Sequence, residues 1–383
     1  MEKISPAMAA PEAVVILGLR RVGKTTLIRH IFDSLPTSNK LFFDLENPLN
    51  RKRFESDNFD GIWADLQILG LKADSRAYIF LDEIQFLTQA PSIVKYLADH
   101  FAIKFVLTGS SSFYLKNRFS ESLSGRKTIF ELFPLSFSEI LAYKQPEILL
   151  EPLRHATVSE SIYKTLMPLY EEYLQYGGFP AVVLKSSADE KRNMLEDIFT
   201  SYFNLEVLQL SDFRKTHLIR DLILLLLNRS GSLIDVSRLS RELGISRSTV
   251  SEYLGFLEGT YFFHFVPPLS KSLDVRVRRA KKCYPCDMGF LTCFGTPSPG
   301  AVFETALYHQ LRCRGQITYA QKASGKEIDF VLDGVHGFES KLLPTSSDFR
   351  TYDTFSKSLG LVDFTLISKR FCDLPGVKYG FQI

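Results

Sequence analysis

Gly18, Leu19, Arg20, Arg21, Val22, Gly23, Lys24 and Thr25 satisfy the spacing G-x-x-x-x-G-K-[ST], and Thr26 carries the pattern into a helix. Backbone N–H groups in such a loop converge on phosphate oxygens, and the helix start adds the positive end of its dipole. Lys24 is expected to reach the outer phosphates of a nucleotide such as ATP, and the Thr25 hydroxyl to ligate Mg²⁺. Some sixty residues on, the apolar run Tyr78, Ile79, Phe80, Leu81 ends in Asp82 and Glu83. In-line attack on a γ-phosphate needs both charge neutralisation and a positioned water, so Asp82 is expected in the Mg²⁺ shell and Glu83 as the base. A further apolar run, Phe105 to Thr108, ends in Gly109, Ser110, Ser111 and Ser112. Hydroxyls there suit either contact with the γ-phosphate and the water or a plain helix cap.

Two other stretches carry residues with chemical potential. Val236 to Leu243, the turn Gly244-Ile245-Ser246, and Arg247 to Glu258 follow a helix-turn-helix pattern, with Leu239, Leu243, Ile245, Val250, Leu254 and Leu257 inward. Arg247, Ser248, Thr249, Ser251 and Tyr253 are expected to face outward. Two β-like segments follow, at Tyr261 to Pro267 and at Val275 to Arg279. Lys271, Arg276, Arg278, Arg279, Lys281 and Lys282 against Asp274 give net +5 over twelve residues. That pattern predicts a winged helix with duplex DNA contacts at Arg247, Ser248, Thr249, Arg276, Arg278 and Arg279, or else a spacer or protein dock. Further on, Glu304 on a helix, Asp329 on a strand and Glu339-Ser340-Lys341 on the next strand resemble the core of restriction-endonuclease-like nucleases. The pleat puts Glu339 and Lys341 on one face, so Asp329 and Glu339 are expected to share a Mg²⁺, with Glu304 and Lys341 completing the site. A degenerate version of that fold used for docking fits the same residues. Cys283-Tyr284-Pro285-Cys286 is a single C-x-x-C without the four ligands of a zinc site and is read as strand.

The elements that must position these residues follow from periodicity. Apolar runs alternate with helical patterns through the first 140 residues, the rhythm of a parallel sheet with crossover helices. Helical spacing then takes over to about Lys215, interrupted by Gly177, Gly178 and Pro180, and a small α/β module closes the chain. The expected organisation is α/β: a P-loop domain over 1–138, a helical lid over 139–217, a winged helix over 218–282 and a nuclease-like α/β module over 283–383.

Composition is consistent with this. The chain has 383 residues, 45% of them hydrophobic and 23% charged, which excludes disordered and collagen-like classes. Net charge is +3, so a nucleic acid would meet a local patch rather than the whole surface. Five cysteines, an odd number, fit a reducing compartment. Glu2, Lys3 and Pro6 do not read as a leader, and Leu222 to Leu227 is too short for a membrane span. The expected location is cytoplasmic, without membrane contact.

The motifs together resemble the AAA-type P-loop ATPases of archaea and bacteria that carry a C-terminal domain of unknown function. The resemblance rests on GLRRVGKTTL, Phe42 to Asn47, Ile79 to Gln85, Leu107 to Leu115, Leu123 to Arg126, Phe133 to Ile140 and Tyr176 to Val183. It implies a sheet of order 5-1-4-3-2, MgATP hydrolysis with Glu83 as base, and Ser110 or Ser111 as a polar sensor. It also implies a role for Arg126 as a γ-phosphate sensor or as a finger toward a neighbouring subunit of a homo-oligomer; pairing with Glu131 or Glu121 explains the same residue. Asp287 and Gly289 fall on a family pattern, whereas Asn204-Leu205-Glu206 stands where relatives carry an Arg-Asp pair. The resemblance also leaves room for a protein partner: the chain reads as an ATPase whose nucleotide state controls the winged helix and tail, or as a slow ATP-binding switch whose tail docks that partner.

Overall fold

Ala13–Leu17 form strand β1, and all five side chains are buried in the computed structural model, which describes residues 4–110, 125–208, 216–322 and 325–383. A strand covered by crossover helices on both faces has no solvent side, so its sequence is continuously apolar rather than alternating. Strands β2 (Lys40–Asp44), β3 (Ala77–Asp82), β4 (Ile103–Gly109) and β5 (Lys127–Glu131) join it in the order β2-β3-β4-β1-β5, every neighbour parallel. This is the expected 5-1-4-3-2 order. Val14, Ile16, Phe80 and Val106 from the sheet pack with Ile28 and Ile31 from the helix Lys24–Ser34. The chain divides into two compact units. The first runs to Phe133 and includes Gly259–Tyr261; the second comprises Pro134–Glu258 and Phe262–Ile383.

The second unit begins with helices. Phe137–Lys144 and Ala188–Tyr202 each open on a capping box, at Ser136 with Glu139 and at Ser187 with Glu190. Between them the helix Glu160–Tyr176 ends at Gly177, whose φ of +74° needs glycine. A Cβ on Gly177 would stand 1.6 Å from Asp287 Oδ1, and one on Gly178 would stand 1.9 Å from the Leu135 carbonyl oxygen. Asp287 in turn accepts from the N–H of Gly178 and of Gly289, both at 2.7 Å, and caps the helix Met288–Phe294. The Gly-Gly interruption and the Asp287-x-Gly289 pattern are therefore two halves of one joint. Burial pushes the Asp287 carboxyl up to about 7.

Val236–Leu243 and Arg247–Gly259 form the predicted helix-turn-helix, with Gly244 left-handed between them and Ser246 capping the second helix. Tyr253 is a correction: it is buried, because it falls on the same face as Val250 and Leu257. The ribbon that follows pairs β6 (Phe263–Val266) with β7 (Lys282–Pro285) antiparallel. Val275 to Arg279 is not its second strand, as expected from sequence, but lies mostly in the helix Leu273–Arg278. The β-branched valines misled: Val277 is 68% exposed and Val275 half-buried, and neither pairs in a sheet.

The C-terminal sheet is mixed. After the helix Pro299–Arg312 come β8 (Ile317–Gln321), β9 (Glu327–Leu332) and β10 (His336–Lys341), antiparallel in sequence, then the helix Ser346–Ser358. Strands β11 (Asp363–Ser368) and β12 (Lys378–Tyr379) add in parallel. Among the described residues no helix is long and apolar enough to cross a membrane.

Candidate functional site

The carboxyl ends of β1, β3 and β4 lie side by side, and the loop Gly18 to Gly23, Asp82 with Glu83, and Thr108 with Ser110 extend from them. A crevice outside the strand ends of an open α/β sheet is where such folds bind ligands. Gly18 is required sterically, since a Cβ there would stand 2.1 Å from the Leu132 carbonyl oxygen. Gly23 takes φ +101° and starts the helix, and Arg21 is left-handed within the loop. Lys24 is 4% exposed and donates to the Gly18 and Leu19 carbonyl oxygens, 3.0 Å each, so its ammonium sits within the loop.

Thr25 donates its hydroxyl proton to Asp82 Oδ2 at 2.7 Å, and Thr108 donates to Asp82 Oδ1. The Thr108 oxygen accepts from the Glu83 N–H at 3.1 Å. Burial raises the Asp82 carboxyl above its ordinary value, against the pull of the Thr108 and Thr25 hydroxyls. Glu83 has φ +56°, an uncommon backbone for a non-glycine residue that turns the chain off β3. Gln85 donates to Glu83 Oε2 and also to Ser110 Oγ at 2.9 Å, linking the expected base to the expected sensor. Thr108 and Gln85 were not singled out by spacing. Their signals were a hydroxyl on the last turn of a buried strand and an amide two residues past the acidic pair. Ser111 lies outside the described residues.

Arg126 is not brought to this crevice. Its carbonyl accepts from Ala13 N at the start of β1, and its guanidinium pairs with Asp99, not with Glu131; Glu121 lies outside the described residues. Ala13 opens β1 and the loop follows its last residue, Leu17, so five steps along the strand, about 16 Å at the usual rise, separate Ala13 from Gly18. Within the chain Arg126 lies at the opposite end of the sheet from the loop.

Residues 10–141 match a family model described as an AAA domain. The N-terminal unit is similar to AAA domains in that match, and it has the phosphate loop and parallel sheet of a P-loop fold. Residues 167–298 match a second model, described only as a domain of unknown function; it contains both halves of the Gly177–Asp287 joint. An uncharacterized protein of Haemophilus influenzae is 29% identical over 337 residues, 83% of this chain and 78% of that one. One from Methanocaldococcus jannaschii is 25% identical over 84% of this chain and 72% of its own length. Among solved structures, the Aeropyrum pernix ORC1 protein in complex with DNA aligns over 82% of this chain and 91% of its own, at 14% identity and a TM-score of 0.31.

In the second unit the residues expected of a nuclease do converge, with additions. Lys282, on β7, is 1% exposed and its Nζ lies 3.0 Å from Glu304, 3.0 Å from Glu327 and 3.3 Å from Asp329. Glu304 also accepts from the Tyr284 hydroxyl at 2.7 Å. Glu339 accepts from the Lys341 ammonium on one oxygen and from the Asp329 N–H on the other. Asp329 accepts from Lys282 on Oδ1, and from Ser340 N and Oγ on Oδ2. All four oxygens of the expected Mg²⁺ pair therefore already face protein donors. Among the described residues, no group of three or more His, Cys, Asp or Glu is arranged to hold a metal ion. Burial, and then the Asp329 charge, push the carboxyls of Glu304 up to about 7 and of Glu339 up to about 8. Burial disfavours the Lys282 ammonium, but Asp329, Glu304 and Glu327 outweigh it, so the proton is held more tightly than usual.

Lys282 and Glu327 were the residues missed. Glu327 and Asp329 alternate on one strand, a same-face signal visible in sequence; Lys282 was counted with the surface cations. Its burial takes it out of that patch, leaving Arg247, Arg278 and Arg279 exposed and Arg276, Lys281 and Thr249 half-buried. Ser246, Ser248 and Thr249 hydroxyls hydrogen-bond one another at the start of the second helix. Cys283 and Cys286 are buried, and burial pushes the Cys283 thiol up to about 12, which suits a packing role.

Proposed function

We propose that this chain is an ATPase that binds and hydrolyses MgATP and uses its nucleotide state to control a winged helix on duplex DNA. The observation that carries the proposal is the hydrogen-bonded set Thr25, Asp82, Thr108 and Glu83 beside the Lys24 loop. A hydroxyl and a buried carboxylate in contact fit the outer shell of Mg²⁺, and Thr25 and Asp82 would hold that ion, whose charge offsets that of the phosphates. Gly18, Arg20, Arg21, Val22, Gly23 and Thr26 would cradle the phosphates through the loop and the helix start. Lys24 would exchange its two carbonyl partners for phosphate oxygens. Glu83, held by Gln85, would take the proton of the attacking water, and Ser110 would orient the same group.

ATP turnover tests this. Lys24→Ala should abolish nucleotide binding, and Glu83→Gln should bind ATP with near-parental affinity and hydrolyse it at least roughly 100-fold more slowly. Parental turnover by Glu83→Gln would overturn the assignment. For the DNA part, the support is an exposed Arg247, Arg278 and Arg279 around a helix-turn-helix and ribbon. A second reading, in which the tail serves as a docking module beside a slow ATP switch, is favoured by the protein-satisfied carboxylates of the mixed sheet. Duplex DNA that fails to stimulate turnover would favour it.

A further inference from the structure

The carboxylate cluster of the second unit has a cation of its own. We infer that the Lys282 ammonium is the resident cation of the cluster, standing where a divalent ion would bind, so that the native module takes up no Mg²⁺ or Mn²⁺ there and acts as a metal-free clasp between β7 and the mixed sheet.

The number of donors fits. An ammonium has three N–H groups, and three carboxylates, from Glu304, Glu327 and Asp329, lie within 3.0 to 3.3 Å of it. At 1% exposure Lys282 has no water to turn to. A divalent ion near the same oxygens would sit a few ångströms from a buried positive charge, and at that range repulsion is not screened.

The lysine is also fixed from behind, so it cannot swing aside cheaply. Lys282 pairs with Val266 across the ribbon and bridges to Leu233, and the next residue, Cys283, donates its N–H to the Ser232 carbonyl. On the other side the Tyr319 hydroxyl donates to the Ala280 carbonyl at 2.6 Å. Neighbouring Tyr284 reaches Glu304 from the same strand. The cluster thus joins three elements: the ribbon through Lys282 and Tyr284, the helix Pro299–Arg312 through Glu304, and β9 through Glu327 and Asp329.

The experiment is a Mn²⁺ titration of the full, nucleotide-free chain, read from the electron paramagnetic resonance signal of free aqueous Mn²⁺. Native protein and Asp329→Asn should take up the same amount, because any uptake at the P-loop is common to both. Lys282→Met, which keeps the buried stem and removes the charge, should gain one equivalent, and the double variant Lys282→Met/Asp329→Asn should lose it again. Folded Lys282→Met without the added equivalent would overturn the inference. So would native protein losing one equivalent on Asp329→Asn, or Mg²⁺-dependent plasmid nicking that vanishes in that variant. Should Lys282→Met fail to fold, the comparison of native protein with Asp329→Asn and with Glu327→Gln decides: equal uptake by all three upholds the inference.

Discussion

Asp82 and Thr108 illustrate how much one buried hydroxyl organises. Thr108 gives its proton to Asp82 and receives the Glu83 N–H, so a single side chain fixes both acidic residues at the end of β3. Replacing it by valine keeps the shape but strands a buried acceptor and a backbone donor. Thr108→Val should therefore lower stability by about 1–3 kcal/mol, the usual penalty for such groups, measured by denaturant unfolding. Gln85 acts differently, because it touches the Glu83 carboxylate rather than the fold. Gln85→Ala should slow ATP turnover roughly 10-fold, the worth of one hydrogen bond to a charged group, with little change in KM for ATP. A large rise in KM with unchanged kcat would mean that Gln85 serves binding instead.

At the scale of elements, the joint between the end of the helix Glu160–Tyr176 and the start of Met288–Phe294 has no tolerance for a methyl group. Gly177→Ala would drive a Cβ into the Asp287 carboxylate at a φ that alanine resists, and should cost more than about 3 kcal/mol. Gly244→Ala is the control: it is also left-handed, but a Cβ there meets nothing within 4 Å, so only about 1 kcal/mol of backbone strain is expected. Comparable losses from the two would mean that the joint is looser than its packing implies. The basic face of the helix-turn-helix and ribbon gives a second element-level expectation. Replacing exposed Arg247, Arg278 and Arg279 by alanine should weaken duplex binding across sequences and flatten the salt slope by about one unit for each phosphate that is no longer neutralised. Unchanged binding at low salt would assign this face to a protein.

For the whole molecule, three buried acids set a common pH dependence. Asp287 and Glu304 titrate near 7 and Glu339 near 8, above their ordinary values of 3.8, 4.5 and 4.5. Between those limits these three groups bind more protons in the folded chain than in the unfolded one, so their contribution to stability falls as pH rises from about 4.5 to 8, whereas His264 and His309, which burial holds well below their ordinary value, act oppositely below about 6.5. The thermal midpoint should accordingly drop between pH 6.5 and pH 8, by about 2–4 °C for each kcal/mol lost in a domain of this size. Glu339→Gln, which mimics the protonated acid, should flatten part of that slope. A midpoint that rises over the same interval would show that these carboxyls ionise freely. The raised lysines do not contribute in this window, since both remain protonated throughout.

Local chemistry in the sequence determined the phosphate loop, the acidic pair after β3, the parallel rhythm of the first sheet and the helix-turn-helix, each carried by residues close in the chain. The strand order and the grouping of Glu304, Asp329, Glu339 and Lys341 were legible only through resemblance to known folds. What only the tertiary structure decided is where long-range charges meet. Lys282 reads as one more cation in a basic run, and nothing local distinguishes it from Lys281; its burial follows from the pairing of β7 with β6 and from carboxylates up to 47 residues away. Arg126 shows the same limit in reverse. Its distance from the loop depends on which end of β5 it begins, and a parallel sheet places strand starts and strand ends on opposite edges. Sequence spacing specifies which side chains share a face of an element; which elements bring their charges together is settled by packing across the whole unit.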